Sequence, residues 1–507
     1  LPRNFVVKDG FKFIEHRSPQ SDKVPVQVSL GCSLLGAACP HPDPGDPDTM
    51  LCGVQKRFAS APPEADPSLL LELGGFVDKW LSDNLVPLAF DTDLTVEGWL
   101  AKTKYTAGRK AELLSIYKEF PILSKKDYKV KGFMKDETYP DYKHARGINS
   151  RTDRFKCEVG PLAKAIEEQL YKHPAFIKHV PVADRPRVIH EALFRVGARY
   201  GATDYTAFES LFVKAVMEAV EFKLYKYMTQ LTAEGRRQAD VLMEATGGIN
   251  VIDYKDFTFW LPATRMSGEM VTSLSNGFAN LMFLLFVAWK SGVDVVAFVE
   301  GDDGIFRSSG ALQEDLFEKL GLRIKLEWHD HLNLASFCGI IYDEHDLTPV
   351  TNPLEVLATF GYTSQIYRNA NSSTRLNLLR AKSLSLAYQY PGCPIISALA
   401  QYGLRMTRGR DIRNFVGNKM RTSQWEREQL LDALGSSVPI VPVGMQTRLL
   451  VESLYGVTVE SQLKLENRLD SMITLEPIQF DVVDLVCPYS WVDYYNRFSC
   501  CLKVSDE

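Results

Sequence analysis

Three stretches of hydrophobic patterning organise the chain. Leu211, Phe212, Ala215, Val216, Ala219 and Val220 recur at helical spacing and predict one amphipathic helix. Leu281 to Trp289 is an almost unbroken apolar run, and just before it Thr272, Asn276 and Asn280 fall at i, i+4 and i+8. A helix there carries these three polar residues on one face of an otherwise buried surface, where each amide needs a partner. The third pattern is a β-branched and aromatic run, Val295-Val296-Ala297-Phe298-Val299, then Glu300, the turn Gly301-Asp302-Asp303-Gly304, and Ile305-Phe306. It predicts a hairpin whose turn pushes two adjacent carboxylates out of the sheet, towards solvent or a metal ion. The flanking glycines tolerate the positive φ that a tight reversal demands.

Elsewhere the patterning is weaker. Residues 1 to 84 are punctuated by Pro40, Pro42, Pro44, Pro47, Pro62 and Pro63 and predict irregular structure, with helical spacing confined to residues 67 to 84. Residues 97 to 120 predict helix with a basic face, and residues 231 to 262, polar and then aromatic, an insertion. Leu316 to Glu327 predicts a helix, a stop at Gly321 and a strand; Ala335 to Gly339 predicts a buried strand. Residues 351 to 507 hold several helical patterns, including Ile396 to Met406. The most apolar stretch, Gly277 to Trp289, is 13 residues long and interrupted by Asn280. That is short of the roughly 20 residues a bilayer crossing needs, so no transmembrane segment is expected.

Composition adds bounds rather than chemistry. With 507 residues, 45% hydrophobic and 24% charged, the chain is an ordinary globular protein long enough for about three subdomains. Nine scattered cysteines suit a reducing compartment better than a disulfide framework. Cys32, Cys39, His41 and Cys52 match no compact zinc-ligand spacing, and small buried cysteines are the expected reading.

Charge changes the picture more. The net charge is −5, yet Ala101 to Lys156 carries 15 Lys/Arg against 7 Asp/Glu. A second basic patch, Arg405, Arg408, Arg410, Arg413, Lys419 and Arg421, is opposed only by Asp411. Basic segments in an acidic chain suit a protein with one phosphate-holding channel, or else two solvated faces. Within the first segment, Lys135, Lys143 and Arg146 recur among β-formers and turn residues, so an extended ribbon directs several cations into one groove. Asp204 closes Arg199-Tyr200-Gly201-Ala202-Thr203 just ahead of the Leu211 helix, as a functional carboxylate or as a helix N-cap. Ser267-Gly268, three residues, Thr272, three residues and Asn276 form a loop running into the polar stripe.

In this order, the basic ribbon, the strand-end Asp204, the Ser267 to Asn276 motif and Gly301-Asp302-Asp303 resemble the RNA-dependent RNA polymerases of positive-strand RNA viruses. The likeness, over about residues 97 to 340, is to the tombusvirus, nodavirus and flavivirus side of that group. It implies an α+β right-hand polymerase. Residues 1–96 would be an N-terminal extension contributing to fingers, 97–190 fingers with the ribbon, 191–230 palm, 231–262 a fingers insertion, 263–350 palm and 351–507 thumb. It further implies template-directed RNA synthesis by nucleotidyl transfer, replicating a viral RNA genome. Asp204, Asp302 and Asp303 would hold two magnesium ions, with manganese as a substitute, and adjacent hard carboxylates suit such ions.

By the same resemblance Lys135, Lys143 and Arg146 would cover the triphosphate, and Ser267, Gly268, Thr272 and Asn276 would read the ribose. Glu209 stands where a second Asp is more usual, with its charge kept on a side chain one methylene longer. Lys325, chosen over Lys319, would protonate the pyrophosphate, and either lysine is otherwise a surface ion pair. The Ala335 to Gly339 stretch is similar to a hairpin that supports the primer strand. Expected partners are template and nascent RNA, ribonucleoside triphosphates and other viral replication proteins, in a replication complex of the host cytoplasm. A reverse transcriptase would use the same metals, but the Ser267 to Asn276 motif favours ribonucleotides. An inactive RNA-binding scaffold would be favoured had one of the three aspartates been replaced.

Overall fold

A computed structural model describes residues 4–16, 26–481 and 485–502, the last four by backbone alone. The chain opens with strands β1 (Lys12–Glu15) and β2 (Gln27–Ser29), helix α1 (Pro47–Val54), a π-helical turn (Gln55–Ala59) and α2 (Pro67–Asn84). The region is more regular than its prolines predict. Pro47 and Pro67 each occupy the first turn of a helix, where a missing N–H costs nothing, and Asp46 and Asp66 cap the same helices. The basic segment then forms α3 (Val96–Lys102), α4 (Ala107–Glu119), β3 (Val130–Met134) and β4 (Gly147–Arg151). Two helices replace the one expected over residues 97 to 120, because Thr106 starts a second cap on the Arg109 N–H.

Next come α5 (Asp153–Leu170), α6 (Arg185–Leu193), β5 (Arg199–Tyr205), α7 (Lys214–Ala219), α8 (Glu221–Thr229) and α9 (Ala233–Thr246). The Leu211 to Val220 stripe is therefore not one helix. It is a 3-10 turn (Phe208–Leu211), then α7, and a break at Val220 (φ −121, ψ −89) that brings Glu221 inward to Arg265. Hairpin β6 (Asn250–Asp253) and β7 (Phe257–Leu261) precedes α10 (Thr272–Ser291), β8 (Val295–Glu300), β9 (Asp303–Ser308), α11 (Asp315–Lys319) and β10 (Ile324–His329). Gly321, at φ +82, makes the stop between α11 and β10.

By length and composition α10, at 20 residues, could cross a membrane, longer than its 13-residue apolar run suggests. Here 78% of its apolar window is buried inside the fold. Residues 335 to 339 are a turn instead of a strand: Phe337 and Ile340 bridge around Cys338 and Gly339, both at positive φ. The remainder is mainly helical, including α12 (Pro353–Phe360), then β13 (Tyr362–Ser364) after the short β11 (Ile341–Tyr342) and β12 (Pro349–Val350), and α13 (Ser372–Gln389) and α14 (Ile396–Met406).

Two sheets frame the molecule. One has five strands in the order β1-β7-β6-β3-β4, and the other is wholly antiparallel in the order β10-β5-β9-β8. The fold is thus mixed α and β with antiparallel sheets. The four-stranded sheet is covered on both faces. On one, Phe306 and Val299 pack with Phe212, Phe278 and Phe283 around α10. On the other, Tyr200, Phe298 and Ile305 pack with Ile189 and Phe337. Residues 30 to 39 leave the N-terminal segment to join the core of the C-terminal helices, and β2 pairs with β13 there.

Candidate active site at the end of the central sheet

The antiparallel register gathers the carboxylates. Thr203 pairs with Gly304, Glu300 with Asp303, and Lys325 with Asp204. Cross-strand partners and alternate residues share a face. Lys325, Asp204, Asp303 and Glu300 therefore form one row at the sheet end, on the face that buries Tyr200, Phe298 and Ile305. Asp302 sits beside the row in the turn. The two turn glycines act differently. Gly301 adopts φ +58, whereas a side chain at Gly304 would meet Thr203 Oγ1 at 2.6 Å. The first needs glycine for its backbone and the second for its space.

Electrostatics mark the row as under-neutralised. Asp303 retains open surface, but the surrounding protein and then the charges of Asp302, Glu300 and Asp204 push it up to about 7. Asp302 is raised too, by its partly enclosed setting and then by Glu209, against relief from Arg57 and Arg146. Crowded carboxylates are stabilised by any divalent cation that joins them. Among the described residues no three His, Cys, Asp or Glu side chains already stand at metal-holding spacing. The donor set fits a hard cation in chemistry and charge, and the side chains would have to converge on it. Cys32, Cys39 and Cys52 are buried, and His41 bonds Asp136 at 2.5 Å.

The polar stripe of α10 divides by task. Asn280 is fully buried, and its Nδ2 donates to the carbonyls of Gly301 (3.2 Å) and Asp303 (3.0 Å), so it clamps the carboxylate turn. Asn276, 5% exposed, has an Oδ1 with no partner among the described residues. Thr272 Oγ1 donates to Met266 O at 2.7 Å and accepts from the Glu269 N–H, and Ser267 Oγ accepts from the Asn149 N–H at 3.0 Å. Those hydroxyls knit the loop together. Gly268 lies against β4, its N–H donating to Asn149 O at 2.7 Å.

The ribbon cations collect around an unpredicted acid, Glu137. Lys135 Nζ lies 2.7 Å and Arg146 Nε 2.6 Å from its carboxylate, while Lys143 sits over the Tyr139 ring at 4.2 Å. Enclosure alone would raise Glu137, but the two cations hold it down at about 2. Glu209 is buried and bonded to Arg57 at 2.7 Å. Lys325 shares the carboxylate row, with its side chain 75% exposed and Nζ 3.5 Å from Glu327. Three further residues join the site from outside the motifs: Arg57, Glu137, and Arg185, which pairs with Glu300 at 3.3 Å. Glu300 adjoins the Gly-Asp-Asp turn, a local signal in the sequence, whereas nothing in the sequence around Arg57 or Arg185 points to the site. In the second basic patch, Arg405 and Arg413 donate to the carbonyls of Leu469 and Leu434, and Arg410 to Asn377 Oδ1. Much of that charge therefore ties helices together.

No family model matches the chain. Over 213 residues it is 25% identical to the RNA-directed RNA polymerase of Striped jack nervous necrosis virus, a match that takes in 39% of this chain and 21% of that protein's length. The likeness supports distant kinship with RNA-directed RNA polymerases in general, a coarser relationship than any one viral group.

Proposed function

We propose that this chain is an RNA-directed RNA polymerase that joins ribonucleoside triphosphates on an RNA template to replicate a viral genome. The observation that carries the reading is the carboxylate row: Asp204 and Asp303 on neighbouring strands, with Asp302 in a turn clamped by Asn280. In this reading residues 191–230 and 263–350 form a palm, 97–190 and 231–262 fingers, and 351–507 a thumb. The N-terminal segment spans from fingers to thumb, as its residues 30 to 39 suggest.

Asp204, Asp302 and Asp303 would hold two magnesium ions, or manganese in their place. Such ions, when bound, acidify the primer 3′-hydroxyl and offset charge on the leaving pyrophosphate. The chain's own residues do the rest. Arg146, which already offsets charge at Asp302, would bind the triphosphate with Lys135 and Lys143 once phosphate competes for the bonds of Arg146 and Lys135 to Glu137. Asn276, through its unpartnered Oδ1, and Glu209 would accept from the ribose. Ser267, Gly268 and Thr272 would set the loop that positions Asn276. Lys325 Nζ, on the face of Asp204, would give a proton to the departing pyrophosphate. Template and nascent RNA and other viral replication proteins are the partners this implies, in a host cytoplasmic replication complex.

Extension of an RNA primer on an RNA template with magnesium tests the reading. Asp302→Asn is expected to lower incorporation on the order of 10³-fold, the scale of losing a group that stabilises transition-state charge. Equal incorporation by both proteins overturns the mechanism, and equal use of deoxynucleotides would favour a reverse transcriptase.

A further inference from the structure

One guanidinium beside the carboxylates has no assigned task. Arg57 lies in the middle of the π-helical turn Gln55–Ala59 that continues α1. Such turns are rare and concentrate where a side chain must be aimed. Its fork is divided: Nη1 donates to the Gly147 carbonyl and Nη2 to Glu209 Oε1, each at 2.7 Å. The same Gly147 carbonyl accepts from Ser267 Oγ at 3.3 Å. A single cation therefore joins the ribbon strand β4, the Ser267-Gly268 loop and the carboxylate that follows Asp204.

Glu209 is held from its own side as well. Ala207, a residue with a side chain, takes the left-handed conformation (φ 49) and starts the 3-10 turn that delivers Glu209 inward. Burial would raise its carboxyl, but the charge and hydrogen bond of Arg57, with a backbone hydrogen bond and Arg146, keep the group below its ordinary range. A carboxylate has about four acceptor positions, so Oε1 engaged by Arg57 leaves acceptor capacity on the same group. Selection of a hydroxyl-bearing substrate depends on such an acceptor standing in one place, because a substrate lacking the hydroxyl leaves it unpaired.

We infer that Arg57 is a positioning residue for nucleotide selection: by bridging Gly147 and Glu209 it fixes Glu209 as an acceptor for the 2′-hydroxyl of an incoming ribonucleoside triphosphate. The inference rests on the polymerase reading above. It gives the N-terminal segment a part in substrate choice, and it gives the longer Glu209 side chain a reason, since reach is useful only if the end is held.

The test is the ratio of kcat/KM for a ribonucleotide over its 2′-deoxy analogue in primer extension, for the full chain and the variants Arg57→Gln, Arg57→Lys, Glu209→Gln and Arg57→Gln with Glu209→Gln. Arg57→Gln is expected to lower the ratio about 10- to 100-fold, the worth of one hydrogen bond to a charged group. Arg57→Lys keeps the charge without the fork and falls between. Glu209→Gln loses as much as Arg57→Gln, and the double variant loses no more than either. An Arg57→Gln protein that slows both nucleotides equally, or additive losses in the double variant, overturns the inference. If thermal melting shows that Arg57→Gln does not fold, the Arg57→Lys and Glu209→Gln ratios decide: an unmoved ratio in both overturns it. A full chain that makes no RNA removes the polymerase reading and this inference with it.

Discussion

Carboxylates occupy two contrasting settings in this protein. Behind the site, Glu269, Glu221 and Glu158 are buried against Arg151, Arg265 and Arg154 at 2.5, 2.5 and 2.7 Å, every side chain at most 5% exposed. At the sheet end Asp303 is raised by the surrounding protein and then by the like charges of Asp302, Glu300 and Asp204. The same fold that matches a guanidinium to each of these three glutamates leaves Asp302 and Asp303 crowded by their acidic neighbours. Matched charge holds the architecture, and unmatched charge at the surface is available for chemistry.

The largest effect that separates the two settings is on stability. Arg151 bonds Glu269, the Asn250 side chain and the Tyr128 carbonyl, so Arg151→Met strands a buried carboxylate and two further groups. Urea unfolding is expected to show a loss of about 3–5 kcal/mol. Asp303→Asn, which removes a repelled charge, should unfold no more easily than the parent in EDTA. A loss for Asp303→Asn matching that for Arg151→Met would erase the distinction.

What the sequence disclosed follows the same division. The hairpin, the strand-end Asp204 and the α10 stripe are legible because each is a local pattern: period-two apolar residues, a glycine-bounded turn, polar residues four apart. The carboxylate row adds only a register to them. Long-range matching is illegible. Nothing near Arg57 announces Glu209, 152 positions away, and nothing near Arg185 announces Glu300. The prolines of the N-terminal segment misled in the other direction, since Pro47 and Pro67 start helices rather than break them. The α7–α8 break at Val220 was hidden because apolar periodicity continues through it while the backbone does not.

A smaller effect falls between the settings. Asn280 is neutral and buried, and both Nδ2 bonds hold the backbone of the carboxylate turn. Asn280→Ala is expected to cost about 1–3 kcal/mol in unfolding, the desolvation of carbonyls left without a donor. RNA synthesis should fall about tenfold or more, because the turn that sets Asp302 and Asp303 loses its clamp. Synthesis unchanged at saturating magnesium would mean that the turn is held by its strands alone.

The smallest expected effect concerns an unmatched charge of the other sign. Lys8 is 7% exposed, and its Nζ donates to Thr264 Oγ1 at 2.7 Å; burial, and then Arg323, lower it to about 7. The unfolded lysine titrates near 10.4. Between those values the unfolded chain binds more protons than the folded one, so stability from this group rises with pH across the window. It is complete above the unfolded value and lost as pH falls through 7. Lys8→Met should therefore unfold at higher urea than the parent at pH 6, with the gap narrowing towards pH 10. A gap that stays constant from pH 6 to 10 would show that Lys8 titrates alike in the folded and unfolded chains. RNA synthesis should stay within about twofold, since Lys8 is enclosed beside Thr264 and does not open onto the carboxylate row. If synthesis collapses while the protein remains folded, enclosure would not separate structural from functional unmatched charge. The division would then rest on the sign and grouping of the charges instead.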